Sequence, residues 1–446
     1  MYGKNKVMLL KQDFQRVLFI SHNAFSTTLN NGKTYSSFFE GWPKSKLAQL
    51  YFQNEKPNFN VCNNYFHITD EQVLMNKKKN IGKKIDETNF NNIQKTQSSV
   101  HSYVRKNPKA ILTLIRDIVW GINRWKNRNL LEWLNEFKPE VIFFVGGGSL
   151  FSYKITKFIA SYFNIPIVLY FTDDYLTIPS KTKTIEWLNS KRLNKYLKKF
   201  NKSVDKIFVI GDDMKMEYQN KFNKQCISVM NSVDTEKYNV IRLKSEINHG
   251  VEKSKIKIAY FGGIHLNRWK TISVLSQCIR EIQKEGKHFD LDIYCVEKPA
   301  KEILEEIHHP PYSNFKGGVN EEHIISKMME YDVLLHVESF DTNMIFKTRL
   351  SISTKIPEYL ACSKPILGIG PSEISSIKYL KRETESFIIN NIDKVTVLKV
   401  LNEIFNKKDE LNLIGEVNYL LAHKNHDSYK EREKIKSGIT SAVKQY

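Results

Sequence analysis

The chain has 446 residues and a formal net charge of +20, with 68 Lys and Arg against 48 Asp and Glu. A 41% apolar and 12% aromatic share can bury real cores, which excludes a disordered chain, and the length suits two or three domains better than one. No apolar run approaches the ~18 residues that span a bilayer, and the five scattered cysteines contain no Cys-x-x-Cys pair, so neither a disulfide framework nor a zinc ribbon is expected. With lysines but no apolar stretch at the N-terminus, the expectation is a cytoplasmic protein. Its charge suits nucleic acid, an anionic membrane face or phosphorylated substrates.

In chain order, Arg16–Ser21 reads as a short buried strand followed by the loop His22–Ser26. Asn30-Asn31-Gly32 then reads as a loop before a helix-like Tyr35–Phe39. Strand, glycine loop and helix present backbone amides to a ligand in an α/β domain, a plain turn being the other reading. Leu47–Phe52 is the second strand, and the Lys- and Asn-rich residues 76–102 read as a surface excursion. From Ala110 to Phe137 apolar residues recur at helical spacing, with Arg116, Arg124, Lys126 and Arg128 interspersed. One or two amphipathic helices are expected there, packed on a core or touching a membrane, where Trp120, Trp125 or Trp133 could sit at the interface.

Pro139–Val145 is a strand that runs directly into Gly146-Gly147-Gly148-Ser149. A helix to Phe163 and the strand Ile165–Phe171 follow, ending in Thr172-Asp173-Asp174-Tyr175. Ligands of α/β sheets sit at strand C-terminal ends. Gly146–Gly148 therefore reads as a site loop, and Asp173 and Asp174 as hydroxyl-binding or base groups, or as an Asx turn. The stretch Lys181–Lys202 reads as a helix with one apolar side and many lysines, a second candidate for membrane contact. A strand at Val204–Ile210, a helix at Asp212–Phe222 and the strand and loop Ile227–Asp234 complete the first half. Residues 239–255 lack an apolar period and read as a linker.

A second series opens with the strand Ile256–Phe261, the loop Gly262-Gly263…Arg268 and a helix over Thr271–Glu285. It continues through Asp290–Val296, a helix over 300–308, a loop at Phe315–Val319, the helix Glu321–Glu330 and the strand Val333–Val337. Strands alternating with helices in both halves predict parallel sheets. Pro357 fits a helix only in its first turn, so a helix opens near Ser353–Pro357 with Ser353 or Thr354 as N-cap and Glu358 in its first turn. Its amides, with Lys355 and Arg349 nearby, make an anion site suited to a nucleotide diphosphate, with Glu358 accepting ribose hydroxyls. An ordinary crossover helix with a solvated Lys and Glu is the alternative. Ser363-Lys364-Pro365 stops the helix, and Ile366–Ile369 is a buried strand ending at Gly370-Pro371.

Taken together, the chain resembles a GT-B glycosyltransferase, most closely the glycosyltransferase family 4 group. The resemblance rests on Asn30–Gly32, Pro139–Gly148, Ile165–Asp174 and Met230-Asn231-Ser-Val233-Asp234 in the first half. In the second half it rests on Tyr260-Phe-Gly262-Gly263 with Arg268, Tyr331–His336 and Lys355-Ile-Pro-Glu358-Tyr-Leu-Ala-Cys-Ser-Lys364-Pro365. It implies an α/β fold of two facing Rossmann-like domains with the active site between them. The expected boundaries are an acceptor domain over 1–243, a linker over 244–255 and a donor domain over 256–424, with a helix near 425–446 packing back on the first.

The implied activity is metal-independent, retaining transfer of a sugar from a UDP- or GDP-sugar type donor to a saccharide or lipid-linked acceptor in cell-surface polysaccharide synthesis. No cofactor or metal is expected; an anionic membrane surface at the inner face of the cell is an expected partner, and nucleic acid is not. Glu358 takes the ribose role of the family's second signature glutamate, and Arg268 falls at its diphosphate-binding lysine. Arg268, Lys355 and Asp173 are the candidate catalytic residues. Gly32, Gly262, Gly263, Arg268, Ser353, Thr354, Lys355 and Glu358 are the candidate donor-binding ones. The family's earlier glutamate falls on Leu350, which cannot replace it, so Asp341, Ser353 or Thr354 is the expected substitute in donor contact. A nucleic-acid or polyanion binder and a nucleotide-sugar epimerase of the same fold are the competing functions.

Overall fold

The computed structural model describes residues 14–27, 30–75, 81–87, 110–177, 184–246 and 255–446. Most of the surface excursion at 76–102 and residues 247–254 of the expected linker lie outside them. The chain divides into two compact units, one of residues 1–170, 180–207 and 435–446, the other of residues 171–179 and 208–434.

The first sheet follows from apolar runs too short for helices and too uniform for a half-exposed sheet. Its strands are β1 (Val17–Ser21), β2 (Leu47–Tyr51), β3 (Tyr65–His67), β4 (Lys83–Ile85), β5 (Val141–Val145), β6 (Ile167–Phe171), β7 (Lys206–Val209) and β8 (Cys226–Ser228). Their order is β4-β3-β2-β1-β5-β6-β7-β8. β1 pairs in parallel with both β2 and β5, while β4 closes the edge antiparallel to β3. Every residue of β1, β2, β5 and β6 is buried, as a sheet covered on both faces requires.

Unit two holds an all-parallel sheet of β9 (Ile256–Phe261), β10 (Phe289–Tyr294), β11 (Ser313–Gly317), β12 (Val333–Val337), β13 (Ile366–Ile369) and β14 (Phe387–Ile389). The order β11-β10-β9-β12-β13-β14 is the doubly wound 3-2-1-4-5-6 pattern, whose ligand crevice opens where the winding reverses, outside β9 and β12. Its core gathers Ile258, Ile272, Leu291, Leu335, Leu367 and Leu401, all fully buried.

Three sequence expectations change here. Phe315–Gly317, expected in a loop, completes β11, because Asn314 and Lys316 leave the strand too polar to stand out. Residues 235–246 form a helix anchored by the buried Tyr238, so regular structure persists where a linker was expected to begin at 239. The Ala110–Phe137 stretch is two helices, Ala110–Gly121 and Arg128–Phe137, and Trp120, Trp125 and Trp133 are all buried rather than at an interface.

Candidate functional site

At the end of β9 the chain turns through Gly262 and Gly263. The hydroxyl of Tyr359 receives the Phe261 N–H at 3.1 Å and donates to the Phe261 carbonyl at 3.2 Å, which ties the helix Lys355–Ala361 to the strand's last residue. Tyr260 donates to the Gly263 carbonyl at 2.7 Å. A side chain on Gly263 would put its Cβ 2.3 Å from His265 Nδ1, and one on Gly262 would meet Tyr260 Oη at 3.0 Å. Both glycines are therefore dictated by the packing of their own loop.

Arg268 opens the helix Arg268–Ile282 and turns toward Glu338, the first residue after β12. Its Nη2 donates to Glu338 Oε2 at 3.0 Å, and its Nε is buried without a partner. The Glu338 side chain is 4% exposed. Its backbone N–H donates to Ile369 and its carbonyl accepts from Thr271 Oγ1. Gly370 leaves room for it, since a Cβ there would lie 2.8 Å from Glu338 Cβ.

Burial pushes the Glu338 carboxyl up, but His336 and Arg268 outweigh it and hold it below the usual carboxylate range. His336 Nε2 lies 3.3 Å from Glu338 Oε1 without the alignment of a hydrogen bond. Arg268, whose charge burial opposes, is held above its ordinary value by Glu338 and Tyr260. Glu338 is thus the buried carboxylate of this edge, at a position sequence reasoning passed over. Its signal was its place directly after the strand Val333–Val337, whose one polar residue is His336. Leu350, where the resemblance puts its earlier glutamate, is buried.

The helix Lys355–Ala361 starts where expected, with Pro357 in its first turn and Thr354 as N-cap residue. Thr354 makes no capping bond; Ser353 Oγ accepts the Lys355 N–H at 3.3 Å instead. Glu358 is 7% exposed and accepts from Lys355 Nζ at 2.8 Å. The expectation of a carboxylate standing free at the helix mouth is corrected to an ion pair within the first turn.

Arg349 is not an anion donor of this helix. It pairs with Asp174 Oδ2 at 2.9 Å and with both carboxylate oxygens of Glu217. Glu217 is held below its ordinary range chiefly by the Arg349 hydrogen bond. Asp174, 1% exposed at its side chain, is held low against its burial by the Thr177 hydroxyl, by Lys221 and by the Leu176 and Thr177 amides. Those amides reach Asp174 Oδ1 at 3.0 and 3.2 Å, the Asx turn that was the alternative reading. Asp173 accepts from Ser351 Oγ at 2.7 Å. The segment between is fixed as well, since Ile352 O accepts from Asn231 and Ser353 N–H donates to Ser376.

In the first unit the winding reverses between β1 and β5, whose ends lead into His22 and Gly146–Gly148. His22 Nδ1 and Nε2 share a ring packed against Phe52 and Phe151, Nε2 is buried without a partner, and burial followed by the Arg116 charge pulls its pKa down to about 3. Arg116 donates to Asp70 Oδ1 at 2.7 Å and to Ser149 Oγ at 3.3 Å. His22, Asp70 and Arg116 are three further residues that spacing in the sequence did not reveal. Gly32 stands in the first turn of the helix Asn30–Phe39, not in a loop; its carbonyl accepts from Ser26, and a Cβ would meet Ala24 O at 2.5 Å.

No family model matches the chain, and no curated protein matches it. Solved structures do. HepE of Anabaena, in complex with UDP and glucose, is 11% identical, with 96% of this chain and 100% of that one covered and a TM-score of 0.60. A glycosyltransferase from Rickettsia africae is 10% identical over 96% and 99%, with a TM-score of 0.61. Sucrose-phosphate synthase from Thermosynechococcus elongatus is 9% identical over 97% and 100%, with a TM-score of 0.63. Two parallel-dominated sheets flanked by helices, each reversing its winding beside the first strand, match these glycosyltransferases over nearly their full length: the chain has the GT-B fold.

Proposed function

We propose that the protein is a glycosyltransferase that moves a sugar from a nucleotide-diphosphate sugar to a saccharide or lipid-linked acceptor, in the manner of glycosyltransferase family 4. The observation that carries this reading is the reversal point of the second sheet, where Gly262, Gly263, Arg268 and Glu338 gather at the ends of β9 and β12. The helix bearing Lys355 and Glu358 is tied to the end of β9 through Tyr359. HepE, solved with UDP, has the same fold.

Breaking an anomeric C–O bond leaves growing negative charge on the departing diphosphate, while the sugar passes toward an oxocarbenium ion. Arg268, kept charged and oriented by Glu338, stabilises that charge together with Lys355 and the amide of Thr354. Preorganised cations and amides do this without a metal, and no cofactor is needed. Glu358 receives the ribose hydroxyls, exchanging part of its bond to Lys355. Asp173 orients an acceptor hydroxyl. With retention of configuration that hydroxyl passes its proton to the leaving phosphate. The same reading places the protein in the cytoplasm, at the inner face of the cell membrane, in cell-surface polysaccharide synthesis.

The test is a thermal-shift panel of UDP-, GDP-, ADP- and CMP-sugars, followed by an assay of nucleoside diphosphate release. One donor class should raise the melting temperature, and Arg268→Ala should slow release more than it weakens donor binding. Indifference to all four donors overturns the reading.

A further inference from the structure

In the first unit the helices Ala110–Gly121 and Thr184–Phe200 pack against each other, and the helix Asp70–Met75 packs on the first of them. Their inner sides supply Trp120, Leu193, Leu197 and Phe200 to the core. Their outer sides are not polar. Ile115, Ile118 and Ile122 recur at three- and four-residue spacing and are 48, 58 and 65% exposed. Ile185, Trp187 and Leu188 stand out from the first turns of the second helix, and Leu74 and Met75 from the end of the third. Singly exposed apolar residues need no explanation; this many on three helices that pack together mark a docking face.

Charge identifies what docks. Lys191 Nζ lies 4.5 Å from the centre of the Trp187 ring. Lys195, Lys198 and Lys199 follow it along the exposed side of the helix. The acids on the three helices do not offset them: Asp117 is buried with Arg192 4.0 Å away and Asp70 is paired with Arg116, which leaves Glu71 and Glu186 exposed against four lysines on the second helix alone. Protein interfaces deplete charge, lysine in particular, from their centres. Large apolar side chains bordered by lysines suit the head-group boundary of a bilayer, where the apolar ends enter and the ammonium groups reach phosphates.

We propose that this face docks the protein on an anionic phospholipid bilayer. It is a different surface from the buried tryptophans of the same stretch. Docking stands apart from the transferase reading, but where that reading holds, the face also specifies the acceptor. The helix Ala110–Gly121 carries Ile115 and Ile118 outward and Arg116 to Ser149, beside Gly146–Gly148. An acceptor attached to a membrane lipid would enter at that edge.

The experiment is vesicle flotation of the full chain at low salt, with phosphatidylcholine alone or with a third of the lipid replaced by phosphatidylglycerol. The chain should float with the anionic vesicles and not with the neutral ones. The double variants Ile118→Glu with Trp187→Glu, and Lys195→Glu with Lys198→Glu, should each lower the floated fraction at least ~tenfold with unchanged circular dichroism. A wild-type chain that ignores anionic vesicles overturns the proposal. So does an apolar variant that floats like wild type, which would make the face a polyanion binder. Self-association abolished by the apolar variant, without flotation of the wild type, would assign the face to a second copy and overturn it equally. Because flotation needs no donor, its failure leaves donor binding to be judged separately.

Discussion

Arg268 and Glu338, 70 positions apart in the sequence, meet at 3.0 Å at the ends of neighbouring strands, and each is held in its charged form by the other. Removing one charge leaves the other stranded. Glu338→Gln should therefore destabilise the fold by about 3 kcal/mol, the low end for a broken buried pair because Arg268 keeps some solvent contact. Urea unfolding measures this. A loss under ~0.5 kcal/mol would show that the pair is incidental.

The Arg349 clamp is a pairwise matter, best measured as one. In a double-mutant cycle with Arg349→Met and Glu217→Gln, the coupling should be about 1 kcal/mol, since Glu217 is a third exposed. Arg349→Met alone should cost more, about 2 kcal/mol, because it also removes the ion pair to the buried Asp174. Additive single-variant effects would contradict the clamp.

His426 joins Tyr379 Oη at 2.7 Å and the Asn231 carbonyl at 2.9 Å, and burial pulls its pKa down to about 4. A lowered histidine pKa means that the unfolded chain binds the proton first. The contribution is intact above pH ~6.5 and is lost as pH falls toward 4. It should amount to roughly 3 kcal/mol over that window. Urea midpoints at intervals from pH 7 to 4.5 should fall in the wild type and fall less in His426→Gln. Equal slopes would clear His426 of the effect.

Glu358→Ala should weaken binding of the active donor by roughly ten- to a hundredfold, the range for a charged hydrogen bond to a hydroxyl. Isothermal titration with the donor identified by thermal shift reads it. If Lys355→Met weakens the donor as much while Glu358→Ala does not, the carboxylate only steers the lysine.

The alternation of strand and helix was legible because parallel strands are buried on both faces and stand out as uninterrupted apolar runs, as Val141–Val145 and Ile167–Phe171 do. The three-residue strands at Tyr65, Lys83 and Phe387 carry too few residues to hold a period. At the site, Pro357 disclosed its helix through a local rule. Glu338, His22 and Asp70 matter through neighbours distant in sequence, and no local rule reaches them. Arg349 shows the converse: cation near a helix start suggested phosphate, whereas the fold brought two carboxylates to it.

Residues 435–446 belong to the first unit, where Ile435, Ile439 and Ala442 are fully buried. The ribosome releases these residues more than two hundred positions after the strands they help to cover. Domains made early in synthesis usually fold early. Here the first unit must wait, its last apolar seam open, until the second has been made. Loss of residues 435–446 would therefore injure the half of the protein that was translated first.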